Sequence, residues 1–192
     1  MIGSIRGRVT HVGLDYALIE VGGIGYRVVA GPGLLARLRG GAEASVFTHH
    51  LVREDQQALF GFATSEELGF FELLMTVSQV GPRLALAITS AHPVTRLQLA
   101  IVTDDVDVYT SVSGVGRKTA QRIILELKEK VHAAGIAAGG VAGAADSDVV
   151  AALESLGYTA SEARRAAGSV AGTEGGLDAR IKAALQELAR SR

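Results

Sequence analysis

The sequence predicts an α+β protein built from several small domains, with strands in the first third and helices in the rest. Three observations predict this organisation. Residues 1–63 hold short β-branched and aromatic runs separated by glycines, helix-start signals begin at residue 64, and residues 133–145 are an Ala/Gly-rich stretch without any charge. With 192 residues and a 48% hydrophobic composition, the chain is long and apolar enough to form folded cores.

Five strand-like segments occupy the first domain, residues 1–63. Each is short and rich in β-branched or aromatic residues, and breaks such as Gly22-Gly23 and Gly40-Gly41 separate them. Five such strands suit a small closed barrel of the oligonucleotide-binding (OB) type, although a sandwich fits nearly as well. The predicted strands cover residues 5–9, 16–21, 25–30, 44–53 and 58–62.

Residues 64–132 are predicted to form an all-helical second domain. Thr64 and Glu67 have the spacing of a capping box, and an apolar stripe with helical periodicity follows them. Pro82 suits the first turn of another helix, and residues 117–131 form a long amphipathic run. Helical signals therefore replace strand signals from residue 64 onwards.

An uncharged stretch separates this domain from the end of the chain. Residues 133–145 contain only Ala, Gly, one Ile and one Val, which predicts a flexible tether spanning roughly 20 Å on average. Residues 146–192 then show three short helices, with a second capping box at Thr159 and Glu162. We therefore expect a small three-helix, UBA-like tail that moves independently of the rest.

Composition excludes several classes of function. The chain has no cysteine, which excludes disulfides, thiolate zinc sites and cysteine nucleophiles. It has no run of about 18 uncharged apolar residues, and its first residues lack the build of a signal peptide, so we expect a cytoplasmic protein that does not enter a membrane. Because the formal net charge is −1, any contact with nucleic acid has to be local.

No cofactor or metal site is predicted. His49 and His50 are adjacent, which places them on opposite faces of a strand, and no third ligand has a suitable spacing. Residues 116–119 superficially match a nucleotide-binding P-loop, but Arg117 stands where a glycine should precede the lysine, so ATP binding is not expected. Residues 23–25 lack the third glycine and the helix of a dinucleotide site.

An internal repeat lies in the helical domain. Residues 77–88 and 112–123 match at an offset of 35, and six of the twelve positions are identical. Each copy places an apolar-glycine turn between two helices, with a basic residue two positions after the shared glycine, at Arg83 and Lys118. Ordinary tight turns with glycine C-caps are the alternative interpretation. Packing alone, however, does not require cations at the same helix start twice.

The repeated turn has the features of a phosphate-binding site. Glycine lets backbone N–H groups approach an anion closely, and the following helix directs its positive N-terminus at the same place. Residues 114–130 hold five basic residues against two acidic ones. We therefore expect two hairpins that grip both strands of a DNA duplex through its sugar-phosphate backbone. The predicted DNA-binding residues are Val80, Gly81, Arg83, Gly114, Val115, Gly116, Arg117, Lys118, Thr119 and Arg122.

A DNA-repair enzyme is the rival function. It would be a helix-hairpin-helix glycosylase or nuclease with Asp104, Asp105 or Asp107 as its carboxylates. These aspartates precede the second hairpin, where they can cap or start a short helix. With only 5% aromatic residues the chain also offers no aromatic pocket for a flipped base. We therefore expect no catalytic residue in this chain.

Short motifs spread over the whole chain carry a family resemblance. They are Met1-Ile2-Gly3, Gly23-Ile24-Gly25-Tyr26, Val52-Arg53-Glu54-Asp55, Leu59-Phe60-Gly61-Phe62, Val80-Gly81-Pro82-Arg83-Leu84-Ala85 and Gly114-Val115-Gly116-Arg117-Lys118-Thr119-Ala120. Together with the order of barrel, paired hairpins, tether and helical tail, they resemble the RuvA family, the Holliday-junction-binding subunits of the bacterial branch-migration machine. Gln79 departs from the family pattern, which usually has the first glycine of hairpin one there. We still expect binding through the amides of Val80 and Gly81.

The resemblance implies roles that the residues alone do not establish. Glu54 and Asp55, otherwise an ordinary solvated turn pair, would form an acidic pin at the centre of a fourfold assembly and repel phosphates at the crossover. The subunits would form a homotetramer, alone or as two tetramers face to face, on four-way junction DNA during recombination, repair and the SOS response. From the residues alone, Leu156 and Tyr158 flank a glycine C-cap and are expected in the core of the tail. The resemblance implies that the tail also docks the RuvB motor ATPase, with Leu156, Tyr158 and Leu185 as candidate contacts. A RuvC-type resolvase is a further candidate partner.

Overall fold

The structure is a computed structural model that describes residues 1–136, 144–170 and 175–190. The chain folds into two compact units, residues 1–72 and residues 73–192. Within the described ranges, no helix combines the length and the apolar character needed to cross a bilayer.

Five strands of the first unit form a closed barrel in the order β1-β2-β3-β5-β4. Neighbouring strands are antiparallel except for β3 and β5, which are parallel. The predicted five-stranded barrel is therefore confirmed, and the sandwich alternative is wrong. The strands are β1 (Ser4–Val12), β2 (Tyr16–Val21), β3 (Ile24–Ala30), β4 (Glu43–Val52) and β5 (Gln57–Phe62), and the short helix α1 (Pro32–Leu35) joins β3 to β4.

Alternating side chains of these strands fill the barrel. Ile5, Val9 and Ile19 are all buried, because successive residues of a strand point to opposite faces and one face lines the interior. Gly61 allows β5 to approach β3 closely, since a Cβ at this position would overlap Cγ1 of Val28. A larger residue there would force the two parallel strands apart.

Helix α2 (Ser65–Met75) begins where the capping signal predicts. The Glu67 N–H donates to Thr64 Oγ1 at 3.2 Å, which satisfies one of the amides that a helix start leaves open. The helix then packs Phe71 against the barrel, with ring centroids 4.9 Å from Phe62. The first unit is thus a barrel with the first part of α2 packed against it.

In the described parts of the second unit, the regular elements are all helices. Leu97, Ile101, Tyr109 and Ile123 are fully buried in its core. The Tyr109 hydroxyl donates to the Leu97 carbonyl oxygen at 2.9 Å, and burial raises the pKa of Tyr109 well above its ordinary value. The helices are α3 (Pro82–Ala91), α4 (Val94–Val102), α5 (Val106–Thr110), α6 (Arg117–Ile136), α7 (Ala144–Ser155), α8 (Ala160–Ser169) and α9 (Leu177–Arg190).

The predicted tether is wrong at both of its ends. Helix α6 continues to Ile136, so residues 133–136 are helical, and helix α7 starts at Ala144, so residues 144–145 are helical as well. The remaining residues, 137–143, lie outside the described residues. Alanine is the strongest helix former, which explains why an Ala-rich segment lengthens the helices on either side.

Helices α7, α8 and α9 form the expected three-helix tail. The capping box at the start of α8 is confirmed: the Glu162 N–H donates to Thr159 Oγ1 at 3.4 Å, and the Thr159 N–H donates to the Glu162 carboxylate at 3.0 Å. Gly157 ends α7 with a φ of 97°, a left-handed conformation that glycine adopts without strain.

The tail packs on helix α4 within the same unit. Helix α9 lies against α4, and the fully buried Gln98 of α4 donates from Nε2 to the Leu156 carbonyl oxygen. Because Leu156 follows the end of α7, this side-chain amide satisfies an acceptor that the helix end leaves open. The docked tail differs from the independently moving tail that the sequence predicts.

Candidate nucleic-acid interface

Two loops of the second unit share one backbone conformation. We call residues 76–81 the first loop and residues 111–116 the second loop. The Val80 N–H donates to the Val77 carbonyl oxygen at 3.1 Å in the first loop, and the Val115 N–H donates to the Val112 carbonyl oxygen at 3.0 Å in the second. The sequence repeat at an offset of 35 is therefore a structural repeat as well.

Valine side chains anchor both loops in the protein. We predicted that Val80 and Val115 bind DNA, Val80 through its amide, but they are 5% and 6% exposed and their N–H groups donate within the loops, so they act as anchors and not as open donors. The glycines that follow them lie on the solvent-exposed side of the loops. Gly81 and Gly116 are exposed, and a Cβ built on either would have nothing within 4 Å. Each loop thus presents main chain, without side-chain bulk, to open space.

A helix begins directly after each loop. The Ala85 N–H donates to the Gly81 carbonyl oxygen at 2.9 Å, and the Ala120 N–H donates to the Gly116 carbonyl oxygen at 2.9 Å. No side chain caps α3 at Gly81, so the first amides of that helix remain available to an external acceptor. Unsatisfied N–H groups and the positive end of the helix dipole together favour a bound anion.

Cations surround these helix starts. Arg83, Arg117 and Lys118 are exposed, whereas Thr119 and Arg122 are half-buried. The exposed three occupy the first two positions of α3 and α6, and charge-assisted hydrogen bonds from such cations to an anion are stronger than neutral ones.

Two contacts of helix α6 with the first loop were not predicted from the sequence. The Arg122 guanidinium donates to the side-chain oxygen of Gln79, and the Ser78 N–H donates to the Glu126 carboxylate at 3.1 Å. In the sequence, Gln79 stands out because it replaces a glycine that the family usually has there. Nothing in the sequence, however, indicates that Arg122 is its partner.

The acidic pair lies at the tip of a tight turn between β4 and β5. The Arg53 N–H donates to the Gln56 carbonyl oxygen at 2.9 Å, so Glu54 and Asp55 occupy the two central positions of the turn. Both are exposed. Two carboxylates therefore project together from one edge of the barrel, as the strand pattern predicts.

The candidate motor contacts are not on the surface of the tail. Leu156, Tyr158 and Leu185 are each at most 5% exposed, and burial raises the pKa of Tyr158 well above its ordinary value. The core role expected for Leu156 and Tyr158 is thus confirmed, whereas direct contact of these three side chains with a motor is corrected by their burial. The physical reason is that a domain this small needs nearly all of its large apolar residues for its own core.

The carboxylates of the rival enzyme have structural partners. Asp104 lies 2.8 Å from the Lys128 ammonium, and Asp105 caps α5 by accepting from the Asp107 N–H at 3.2 Å. The predicted capping role is therefore confirmed for Asp105. Among the described residues, no three or more His, Cys, Asp or Glu side chains are grouped so that they could hold a metal ion.

Comparisons with known proteins match the chain along nearly all of its length. Residues 1–61 match the family model of the RuvA N terminal domain, residues 71–129 match the SAM-like Helix-hairpin-helix tandem, and residues 144–189 match the RuvA, C-terminal domain. The three matches therefore cover the barrel, the helices that carry the two loops, and the helical tail.

Individual relatives agree with the family models. A protein of Mycobacterium avium (strain 104) is 44% identical over 200 residues, with 100% of both chains covered. A protein of Mycobacterium leprae (strain Br4923) is 42% identical over 203 residues, again covering 100% of both. One from Acidothermus cellulolyticus is 46% identical over 172 residues, covering 90% of this chain and 88% of the relative. All three are named Holliday junction branch migration complex subunit RuvA.

Proposed function

Because the chain belongs to the RuvA family, we propose that it is a non-catalytic scaffold that binds Holliday junctions and recruits a motor for branch migration. The family rests on three matched family models and on relatives at 42–46% identity, two of which are covered from end to end. The resemblance carried by the sequence motifs is thereby confirmed.

The paired loops are the observation that carries this proposal. Each exposes a glycine and an open helix start beside exposed cations, and the two are built alike. Such sites bind phosphates whatever the base sequence. Because contacts of this kind read no bases, duplex arms can slide past them during branch migration. The proposed DNA-binding groups are the backbone of Gly81, Gly114 and Gly116 and the side chains of Arg83, Arg117, Lys118 and Thr119. Val80 and Val115 would support them by anchoring the loops.

The acidic turn would give the scaffold its preference for branched DNA. Glu54 and Asp55 project together into solvent and would repel phosphates that approach them. We propose that four subunits, as one tetramer or as two face to face, gather four such turns at the crossover. Continuous duplex would then be disfavoured relative to a junction whose strands separate around the turns.

Catalysis would belong to partners rather than to this chain. We propose that a RuvB-type motor hydrolyses ATP in the cytoplasm and docks on the tail, with a RuvC-type resolvase as a further partner. Since Leu156, Tyr158 and Leu185 are buried, they would serve this docking by maintaining the fold of the tail and not by direct contact.

A charge reversal at Lys118 tests the proposal. The purified protein should retard a four-way junction more strongly than a linear duplex of the same length and leave both uncut. Lys118→Glu should weaken junction binding by roughly 100-fold or more, because it replaces a phosphate contact with a repulsion. Lys182→Glu provides a matched control, because it makes the same change at an exposed residue of α9.

The outcomes separate the scaffold from its rivals. Junction affinity that is lost in Lys118→Glu and kept in Lys182→Glu supports the scaffold. Equal affinity of the wild type for junction and duplex would contradict junction recognition, and cleavage of either substrate without added factors would support the repair enzyme.

A further inference from the structure

Gln79 occupies a backbone conformation that side chains rarely adopt. Its φ is 67°, in the left-handed region, and the equivalent residue of the second loop is Gly114 with a φ of 89°. Glycine takes this conformation without strain, whereas a residue with a Cβ does not. A strained residue of this kind persists where surrounding contacts hold it in place.

Helix α6 supplies those contacts. The Arg122 guanidinium donates to the side-chain oxygen of Gln79, and the Glu126 carboxylate accepts from the Ser78 N–H at 3.1 Å. Arg122 and Glu126 are four residues apart and therefore lie on the same face of the helix. Two neighbouring side chains of α6 thus hold two consecutive residues of the first loop, and we call this set of contacts the loop clasp.

The two clasp residues of α6 have no counterparts in the other copy of the repeat. At the repeat offset of 35, the residues equivalent to Arg122 and Glu126 are Ala87 and Ala91 of α3. Alanine cannot make either contact. At Gly114, the neighbour of a built Cβ is instead the apolar Leu84, 3.5 Å away. The two copies of the repeat therefore share a backbone conformation. They differ in the side chains that contact each loop.

We propose that the clasp makes Arg122 a positioning residue, which fixes the first loop to the helix that starts at the second loop. This inference rests on the proposed junction binding. Arg117 and Lys118 lie in the first turn of α6, so the clasp ties the first loop to the same helix that carries these cations. A duplex bound by both loops needs them at one fixed spacing, and a loop that is already fixed loses less conformational entropy on binding.

This role differs from the one first predicted for Arg122. As a phosphate ligand, Arg122 would act on DNA directly and independently of Gln79. As a member of the clasp, it directs one N–H to Gln79 and acts on DNA through the position of the first loop. The two roles predict different responses to mutation and to salt.

A double-mutant cycle on the full chain distinguishes them. Gln79→Ala, Arg122→Ala and the double variant are titrated against a fluorescent four-way junction at several salt concentrations. Alanine at residue 79 keeps the left-handed backbone unfavourable, so it removes the Arg122 contact of the clasp without changing the backbone preference greatly. Thermal unfolding followed by circular dichroism checks that each variant is folded. Arg83→Ala, at an exposed proposed phosphate ligand, provides the reference.

The clasp predicts strong non-additivity. Each single variant should lose about threefold or more in junction affinity, and the double variant should lose no more than Arg122→Ala alone. The dependence of log affinity on log salt should be unchanged by Arg122→Ala, whereas Arg83→Ala should make it shallower by about 0.9.

Additive losses, together with a shallower salt dependence in Arg122→Ala, would overturn the clasp and restore Arg122 as a phosphate ligand. Wild-type affinity in Gln79→Ala would also overturn it. A failure of the proposed function looks different, because the wild type itself would then show no preference for the junction.

Discussion

Replacing Gly81 with alanine should separate DNA binding from folding. The backbone at Gly81 has φ −88° and ψ 171°, which alanine adopts readily, and a Cβ there would have nothing within 4 Å in the protein. Alanine is a poorer N-cap than glycine by about 0.5–1 kcal/mol. It also reduces the entropy of the unfolded chain, which stabilises the protein by about 0.4–1 kcal/mol. The two effects nearly cancel, so the free energy of unfolding should change by less than about 0.5 kcal/mol.

Junction binding should respond quite differently. The new methyl group would lie in the open space that the proposed phosphate occupies and would hold it away from the first amides of α3. Loss of one charge-assisted hydrogen bond costs about 1.5–3 kcal/mol, which corresponds to about 10- to 100-fold in affinity. The affinity is measured by fluorescence anisotropy and the stability by urea denaturation.

A second glycine provides the control for this experiment. Gly168 lies on an exposed part of α8, also with nothing within 4 Å of a built Cβ. Gly168→Ala should stabilise the chain by about 0.5–1 kcal/mol and leave junction binding unchanged. A folded Gly81→Ala protein that binds junctions like the wild type would refute the phosphate site at the first loop.

Three further perturbations address the acidic turn, the tail and its capping box. Glu54→Gln combined with Asp55→Asn should raise the affinity for continuous duplex by about 3- to 10-fold at low salt, and an unchanged ratio of duplex to junction affinity would contradict the repulsion model. Removing residues 146–192 should leave junction retardation intact and abolish stimulation of a RuvB-type motor, whereas loss of DNA binding would argue against separate roles. Hydrogen bonds from Thr159 lower the pKa of Glu162 below its ordinary value of 4.5. The stability that this carboxylate contributes should therefore be present above that value and be lost as the pH falls through the lowered pKa. Thr159→Ala should reduce this dependence in thermal melts, because it removes the hydroxyl donor while the N–H of residue 159 still donates to the carboxylate.

Local signals in the sequence predicted the parts of the fold that depend on local physics. Thr159 and Glu162 form the capping box that their spacing indicates, and Gly157 ends the helix before it. The loops could be predicted because a repeated Val-Gly pattern constrains the backbone twice in the same way. These features need only a few neighbouring residues to form.

Features that depend on distant residues could not be predicted in this way. Nothing within β3 or β5 indicates that the two strands pair in parallel, since that pairing joins residues about thirty positions apart. Gln98 looks like an ordinary surface residue of an amphipathic helix until the tail covers it. The sequence also left two roles open for Leu156, because an apolar residue beside a helix end can serve a core or a partner equally well.

Peptide N–H groups have a property that side chains lack: a point mutation removes one only by introducing proline. The start of α3 already carries this change, because Pro82 opens α3 while Arg117 opens α6, so the start of α6 offers one more main-chain donor than the start of α3. A substitution in either loop by any residue other than proline keeps the number of N–H donors and changes only their orientation. A random mutational library should therefore tolerate many replacements at the surface of these loops, while changes to the buried valines beneath them reduce DNA retention indirectly.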